Sequence, residues 1–424
     1  MVALCYVKYI FAEIIFQEME MLEVGYLPSH PQPVSMNDAF YILLALLGGT
    51  AISLLMLFLL GYLSRSKCFR QFLLRNENRD GQEAMALVDL EKGRNENEFK
   101  QRLTMGQEIA NGKMSQVRRA SYADPGLGRK QTVVVKTVKY TDCFALEEAA
   151  YRMCANSNDH IAHFVDSFNG NSIVLRYEQN GSLENYVKRV TFTPMEALSF
   201  SISLLDGLAF LHDVEREGKH PIVHRDIKSR NVLVKSDGLA ALADFGLAKI
   251  CTGPESFKGR YYLYGTLAYM APELLNGQAT YSLTALKKID VYAAALVMWE
   301  VLRRTQIDDE DEPRSAEIPY TSELKEEIEV DEELFYELND DPKEIYARKS
   351  DENYLKRIVF EFQQRPVISE RLRTDPITEV LSLTIQQMWC HDEEGRPSAS
   401  YLLQRLNRMR TCIINGNFED IRLF

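Results

Sequence analysis

The chain has 424 residues, 46% of them hydrophobic and 10% aromatic, enough for a large buried core, which excludes a disordered or collagen-like polymer. A net charge of −12 gives no overall electrostatic reason for a nucleic-acid partner. The seven cysteines (Cys5, Cys68, Cys143, Cys154, Cys251, Cys390, Cys412) are scattered, with no CxxC or Cys/His cluster, so a disulfide framework and a zinc site are excluded in favour of reduced thiols in a cytosolic fold.

Residues 1–38 come first. Their opening, 1–16, is apolar but interrupted by Lys8 and Glu13, which leaves a cleaved signal peptide open. Residues 39–63 (AFYILLALLGGTAISLLMLFLLGYL) are 25 positions without a charge. At about 1.5 Å per residue they can cross a hydrocarbon core roughly 30 Å thick as a single helix. Arg65, Lys67 and Arg70 follow directly while Asp38 and an acidic stretch precede, so the charge bias puts the N-terminus outside and the bulk in the cytosol. The outer segment is too short to fold alone. Residues 64–102, rich in Asn, Glu, Arg and Gln, read as a polar linker with room for one short helix.

Fold signals resume at Leu103. Residues 107–117 (QEIANGKMSQV) read as a phosphate-binding turn that keeps one glycine, Gly112, with Ala110 and Ser115 where such turns use glycine. Gly126 and Gly128 lie too close to the next strand for that role and read as a hairpin turn. Residues 132–138 (TVVVKTV) form a β-branched strand with one lysine, Lys136, and residues 144–153 (FALEEAAYRM) a helix. Glu147 and Glu148 lie roughly 100° apart on that helix, so one of them can face Lys136; motif register selects Glu147. Residues 172–175 form a strand running into Arg176 and Glu178, with Asn180-Gly181-Ser182 opening a helix.

The densest signal is His224-Arg225-Asp226-Ile227-Lys228-Ser229-Arg230-Asn231, between an apolar helix (202–211) and a strand (232–234), followed by Asp244-Phe245-Gly246. A phosphoryl group in transfer carries dense negative charge that must be neutralised and held in line with an incoming hydroxyl. Asp226 would take the hydroxyl proton, Lys228 would reach the γ-phosphate, and Asn231 with Asp244 would offer the hard oxygen ligands that magnesium, or manganese in its place, requires. Downstream, residues 265–273 (GTLAYMAPE) close a segment opened by Asp244. Asp290 is read as the first residue of an apolar helix, placed to bind backbone amides of the 224–231 loop, and Arg396 as a buried partner of Glu273. Residues 307–341 hold 16 Asp/Glu against Arg314 and Lys325, a local charge of −14, and read as a solvated acidic insertion.

On these motifs residues 103–410 resemble a eukaryotic protein kinase domain, with 411–424 as a tail. The matches at His220-Pro221-Ile222-Val223, residues 291–301 (VYAAALVMWEV), Gln364-Arg365-Pro366 and residues 388–396 make it similar to the transforming growth factor-β receptor serine/threonine kinases. The resemblance implies an α+β, bilobal fold preceded by a single transmembrane helix. It implies ATP held by Ile109, Gly112, Val117, Val134, Lys136, Glu147, Leu175, Arg176, Glu178, Leu233 and Asp244, with backbone groups of Arg176 and Glu178 meeting adenine. Residues 64–102 lack the Gly/Ser-rich stretch of type I members, which implies a type II-like kinase that phosphorylates a type I partner from the plasma membrane. The cysteine-rich ectodomain is missing, so this chain alone is not expected to bind a growth-factor ligand. That, with the altered pocket at Ala110, Ser115 and Val134, leaves open a truncated, weakly active receptor that sequesters others.

Overall fold

The computed structural model describes residues 96–112, 115–126, 128–139, 141–154, 156–213, 219–253, 265–308, 312–327 and 351–417, with the side chains of 141–143 and 351–352 excluded. The chain divides into two units, 1–78 and 79–424, and every described residue lies in the second. The expected external segment and span at 39–63 lie outside the described residues, as does most of the linker.

The N-terminal lobe is a five-stranded antiparallel sheet in the order β1-β2-β3-β5-β4, built from β1 (Leu103–Asn111), β2 (Ser115–Asp124), β3 (Arg129–Val138), β4 (Phe164–Phe168) and β5 (Ser172–Arg176). β3 alternates as a half-buried strand should. Val133 and Val135 are buried in a core with Ala120, Tyr122 and Val174, while Val134 and Lys136 take the opposite face. A short helix, α1 (Glu96–Gln101), stands before β1 inside the segment read as linker. Its Phe99 is buried against Tyr122 and Phe168, ring centroids 4.9 and 6.1 Å away, so the lobe's core begins upstream of Leu103. The helix predicted over 144–153 is α2 (Thr141–Cys154).

The C-terminal lobe is helical, with two short ladders, β6 (Ile222–Val223) with β9 (Lys249–Ile250) and β7 (Val232–Val234) with β8 (Ala240–Leu242). After the single turn α3 (Leu183–Tyr186) comes α4 (Pro194–His212). The Thr193 side chain accepts from the Glu196 N–H, the Glu196 carboxylate accepts from the Thr193 N–H, and proline takes the first turn, a reciprocal cap that starts the helix there. Among the described residues α4 is the one helix long and apolar enough to cross a membrane, but most of it is buried in this lobe, against the helices α6, α7 and α8 described next. A Cβ on its Gly207 would come within 2.6 Å of the His160 carbonyl, so glycine permits the close approach of the chain around His160.

Pro272–Leu275 forms α5, and α6 (Leu283–Arg303) is buried along most of its length. This corrects the expected start at Asp290: Ser282 caps the helix by accepting from the Ala285 N–H, and its first turns carry Lys287 and Lys288, whose charge masked the helical pattern. Helices α7 (Pro376–Met388) and α8 (Ala399–Ile414) complete the lobe, the latter running past the expected boundary at 410. Within the acidic stretch, Glu317 pairs with Arg303 and Glu327 with Arg357, so part of the run is docked on the lobe rather than solvated throughout.

Candidate active site

Register places one set of side chains on the sheet face opposite the Val133–Val135 core. Lys136 pairs with Val117 and Ile173, and Val134 with Arg119 and Leu175, and antiparallel partners share a face. Lys136 Nζ donates to both Glu147 oxygens, at 2.6 and 2.8 Å, and to Asp244 Oδ1 at 2.8 Å. Glu148 turns away: its Oε1 accepts from Arg152 Nη2 at 2.9 Å and from the Ser167 hydroxyl, tying α2 to β4. The pair of adjacent glutamates is therefore divided between the site and the sheet.

Burial alone would pull the Lys136 ammonium down, but the carboxylates of Glu147 and Asp244 overcome it and hold it above the ordinary lysine range. Burial would likewise raise Asp244, and Lys136 reverses that, leaving its carboxyl below the usual range. Glu147, 1% exposed, is pushed by burial up to about 7 against the pull of Lys136.

The loop after β6 carries the second group. Asp290 on α6 accepts from the His224 N–H at 2.7 Å and the Arg225 N–H at 2.8 Å, which fixes a turn strained enough to put Arg225 at φ 66°. Asp226 Oδ2 then accepts from Lys228 Nζ at 2.7 Å and Asn231 Nδ2 at 2.9 Å. The Thr266 hydroxyl donates to Asp226 Oδ1 at 3.2 Å and accepts from Lys228 at 2.8 Å. Asp244, at φ 69°, donates its N–H to the Tyr151 hydroxyl, and Phe245 is packed between Tyr151 and His224 at 4.7 and 5.2 Å.

The remaining predicted residues lie on β1, β5, β7 and the segments next to them. Leu233 lies between the buried Val232 and Val234, on the opposite face of β7. Arg176 donates its N–H to His163 O, and the Glu178 carbonyl accepts from Gly181 N–H. The Gly112 N–H donates to Ser115 O at 2.9 Å, and Lys139 Nζ donates to the Gly112 carbonyl at 2.6 Å. Ile109 sits where the β1–β2 register shifts and is 51% exposed.

Sequence reasoning missed Arg119, whose guanidinium lies 4.8 Å from the Tyr177 ring at the β5 end of the cleft face. It also missed Tyr151, although its place four residues after Glu147 puts it on the same side of α2. A third omission had no sequence signal: Tyr269 donates to Glu300 at 2.6 Å and meets the Ser229 hydroxyl at 3.0 Å, joining three distant segments. Burial lifts Glu300 to about 8. A carboxyl raised on folding contributes its stability in full below its unfolded value, and that contribution is lost as pH rises through the folded one. Glu300→Gln is therefore expected to flatten the fall in stability between about pH 5 and pH 8, read by urea unfolding of the full chain at several pH values. A slope identical to wild type would contradict the assignment.

The chain matches the protein kinase domain over residues 103–406. It is 36% identical over 232 residues to the cell surface receptor daf-4 of Caenorhabditis elegans, covering 51% of this chain and 31% of that protein. Against the activin receptor type-2B of Xenopus laevis it is 34% identical over 254 residues, with 58% and 45% covered. Against the activin receptor type-1-like protein of Rattus norvegicus it is 30% identical over 315 residues, with 71% and 56% covered. The chain thus spans about a third to just over half the length of these relatives. The motif-bearing strands and loops therefore sit in a domain match that covers most of the sequence, and this protein belongs to the protein kinase family, with receptors of the activin type among the proteins it is similar to.

Proposed function

We propose that this chain is a single-span receptor protein kinase that transfers the γ-phosphoryl group of ATP to Ser or Thr of protein substrates, a type I partner receptor among them. The observation that carries the reading is the closed hydrogen-bonded cluster of Asp226, Lys228, Asn231 and Thr266, together with the ion-paired group of Lys136, Glu147 and Asp244. Asp226 would receive the hydroxyl proton and aim the oxygen; Lys228, held against it, would steady charge on the phosphoryl group. Lys136 would orient the phosphates, with Glu147 keeping the ammonium in place. Adenine would meet the Arg176 carbonyl and the Glu178 N–H, because the opposite groups of that segment already serve His163 and Gly181.

A divalent ion fits the donor set. Asp244 stays ionised and its side chain is 44% exposed, while Asn231 uses its amide nitrogen on Asp226, leaving Oδ1 as a ligand. Magnesium takes few protein ligands and completes its shell with water and phosphate, so Asp244 and Asn231 would suffice as its protein donors. Asp244 and Asn231 would hold such an ion, which would supply positive charge against the phosphates.

The membrane span at 39–63, with the kinase in the cytosol and the surface location, rests on the sequence and on the description of one relative as a cell surface receptor. Type II character rests on the missing Gly/Ser stretch, since both type-2 and type-1-like names occur among the relatives. The second reading, a weakly active partner that sequesters other receptors, is favoured by the β1–β2 turn, which is closed between Gly112 and Ser115 and clamped by Lys139. Incubation of the full chain with Mg-ATP followed by phosphoamino-acid analysis separates the readings. Phosphoserine and phosphothreonine are expected; no incorporation would favour the sequestering role, and mainly phosphotyrosine would refute the specificity.

The pocket itself gives a further expectation. Val134 puts two methyl groups beside Leu175 on the face that Lys136 shares, and overpacking a tight site costs about 1–3 kcal/mol. Val134→Ala is expected to lower the apparent KM for ATP; a rise would mean that the pocket has adapted to valine.

A further inference from the structure

The β1–β2 hairpin is weakly backed. β1 is exposed over eight of its nine residues, and its register against β2 shifts twice, between Met105 and Glu108 and between Glu108 and Ala110. Few buried contacts and irregular pairing mark a segment that opens easily. Its turn is nevertheless tied. Lys139, the residue after β3, reaches past the end of β2 and donates to Asn111 Oδ1 at 3.0 Å and to the Gly112 carbonyl at 2.6 Å. Both acceptors are neutral, Lys139 is exposed, and among the described residues it has no ion-pair partner, so its charge stands uncancelled beside the turn. An ammonium has three donors, and these contacts use two.

Register fixes how far the turn lies from the base. An adenine held at Arg176 and Glu178 is beside Val133 and Val134, whereas β2 begins after the turn at Ser115, opposite Val138. At about 3.3 Å per residue, Val134 to Val138 is roughly 13 Å, with Lys136 midway. Ribose and triphosphate cover such a span, so the terminal phosphate is the part of ATP that arrives at the turn. Phosphate-binding turns hold phosphate through glycine amides; here Ala110 and Ser115 stand at two of those places, and the Gly112 N–H is spent on Ser115 O at 2.9 Å. A phosphate there needs positive charge and a fixed turn from another source, and Lys139 brings both. We propose that Lys139 is a positioning residue for the terminal phosphate of ATP, bracing the β1–β2 turn so that nucleotide binding does not have to order it. This rests on the kinase reading above and assigns how its site distinguishes a triphosphate from a diphosphate.

The test measures binding of a non-hydrolysable ATP analogue and of ADP to the full chain in detergent with magnesium, and the ATP dependence of its autophosphorylation. Lys139→Met is expected to weaken the ATP analogue about five- to tenfold and to raise the apparent KM for ATP as much, while ADP, which has no phosphate at the turn, moves less than about twofold. Lys139→Arg keeps the charge and the reach, and is expected to stay within about twofold of wild type for both nucleotides. Asn111→Ala keeps the charge but removes one acceptor, and is expected to give a smaller loss, about two- to threefold, again confined to the ATP analogue. An equal loss for both nucleotides in Lys139→Met would mean that the sheet is merely loosened, and tighter binding would mean that the clamp shuts nucleotide out; either overturns the proposal. If Lys139→Met does not fold, an unchanged ratio of the two affinities in Asn111→Ala overturns it. Wild-type phosphorylation that neither variant alters sinks the brace and leaves the kinase reading standing, whereas a wild-type chain that binds neither nucleotide and incorporates no phosphate sinks both.

Discussion

Asp226→Asn is expected to lower kcat for phosphotransfer by at least roughly 10²–10⁴ while the apparent KM for ATP changes little. The carboxylate accepts three hydrogen bonds, from Lys228, Asn231 and Thr266, and an amide of the same shape keeps the oxygen that faces Lys228 and Asn231. Its NH₂ then lies against Thr266, whose hydroxyl can turn to accept. The loop therefore keeps its form, since Asp290 holds the His224 and Arg225 amides independently. What disappears is a group able to take the incoming hydroxyl's proton, and this separates chemistry from binding. Steady-state kinetics with Mg-ATP, together with nucleotide-induced thermal stabilisation of the variant, gives both halves. Unchanged turnover would remove Asp226 from its assigned role.

The largest effect on folding is expected from Arg396→Ala. The Arg396 side chain is 0% exposed and binds Glu273 in a two-pronged pair at 2.7 and 2.8 Å. It also donates to the Cys390 carbonyl at 2.9 Å and lies 5.0 Å from the Tyr292 ring. Removing one partner of such a pair leaves the other charge buried, which typically costs about 3–5 kcal/mol. For a domain of this size that lowers Tm by roughly 5–8 °C. Because Glu273 opens α5 at the end of the segment that carries Thr266, activity should fall with stability. Differential scanning fluorimetry of the full chain provides the measurement, and the double variant Glu273→Gln, Arg396→Ala should regain part of the loss. A single variant as stable as wild type would show that the pair is exchanged for water at no cost.

The legible parts were those written in short range. Residues 132–138 show their β-branched character and their single lysine within seven positions, and the 224–231 loop confines its polar groups to one turn. Motif register selected Glu147 over Glu148 from the chain alone, whereas the partners that take up Glu148, Arg152 on the same helix and Ser167 on β4, appear only once α2 is packed against the sheet. The start of α6 was hidden for a different reason: hydrophobic pattern marks where a helix is buried, whereas Ser282 marks where it begins. Ser229, Tyr269 and Glu300 are each unremarkable in sequence. Their meeting depends on the packing of the catalytic loop, the segment before α5 and α6, which no local pattern encodes.

Phe99 has a mechanical consequence. Burying a phenylalanine contributes about 1.5–3 kcal/mol, and this one is inserted between Tyr122 and Phe168 from a helix that ends two residues before β1. The helix α1 is thereby fastened to the sheet by the Phe99 side chain, directly ahead of the strand that runs to Asn111. An expression fragment trimmed to Leu103 would lose Phe99, and would leave the sides of Tyr122 and Phe168 that it covers facing water.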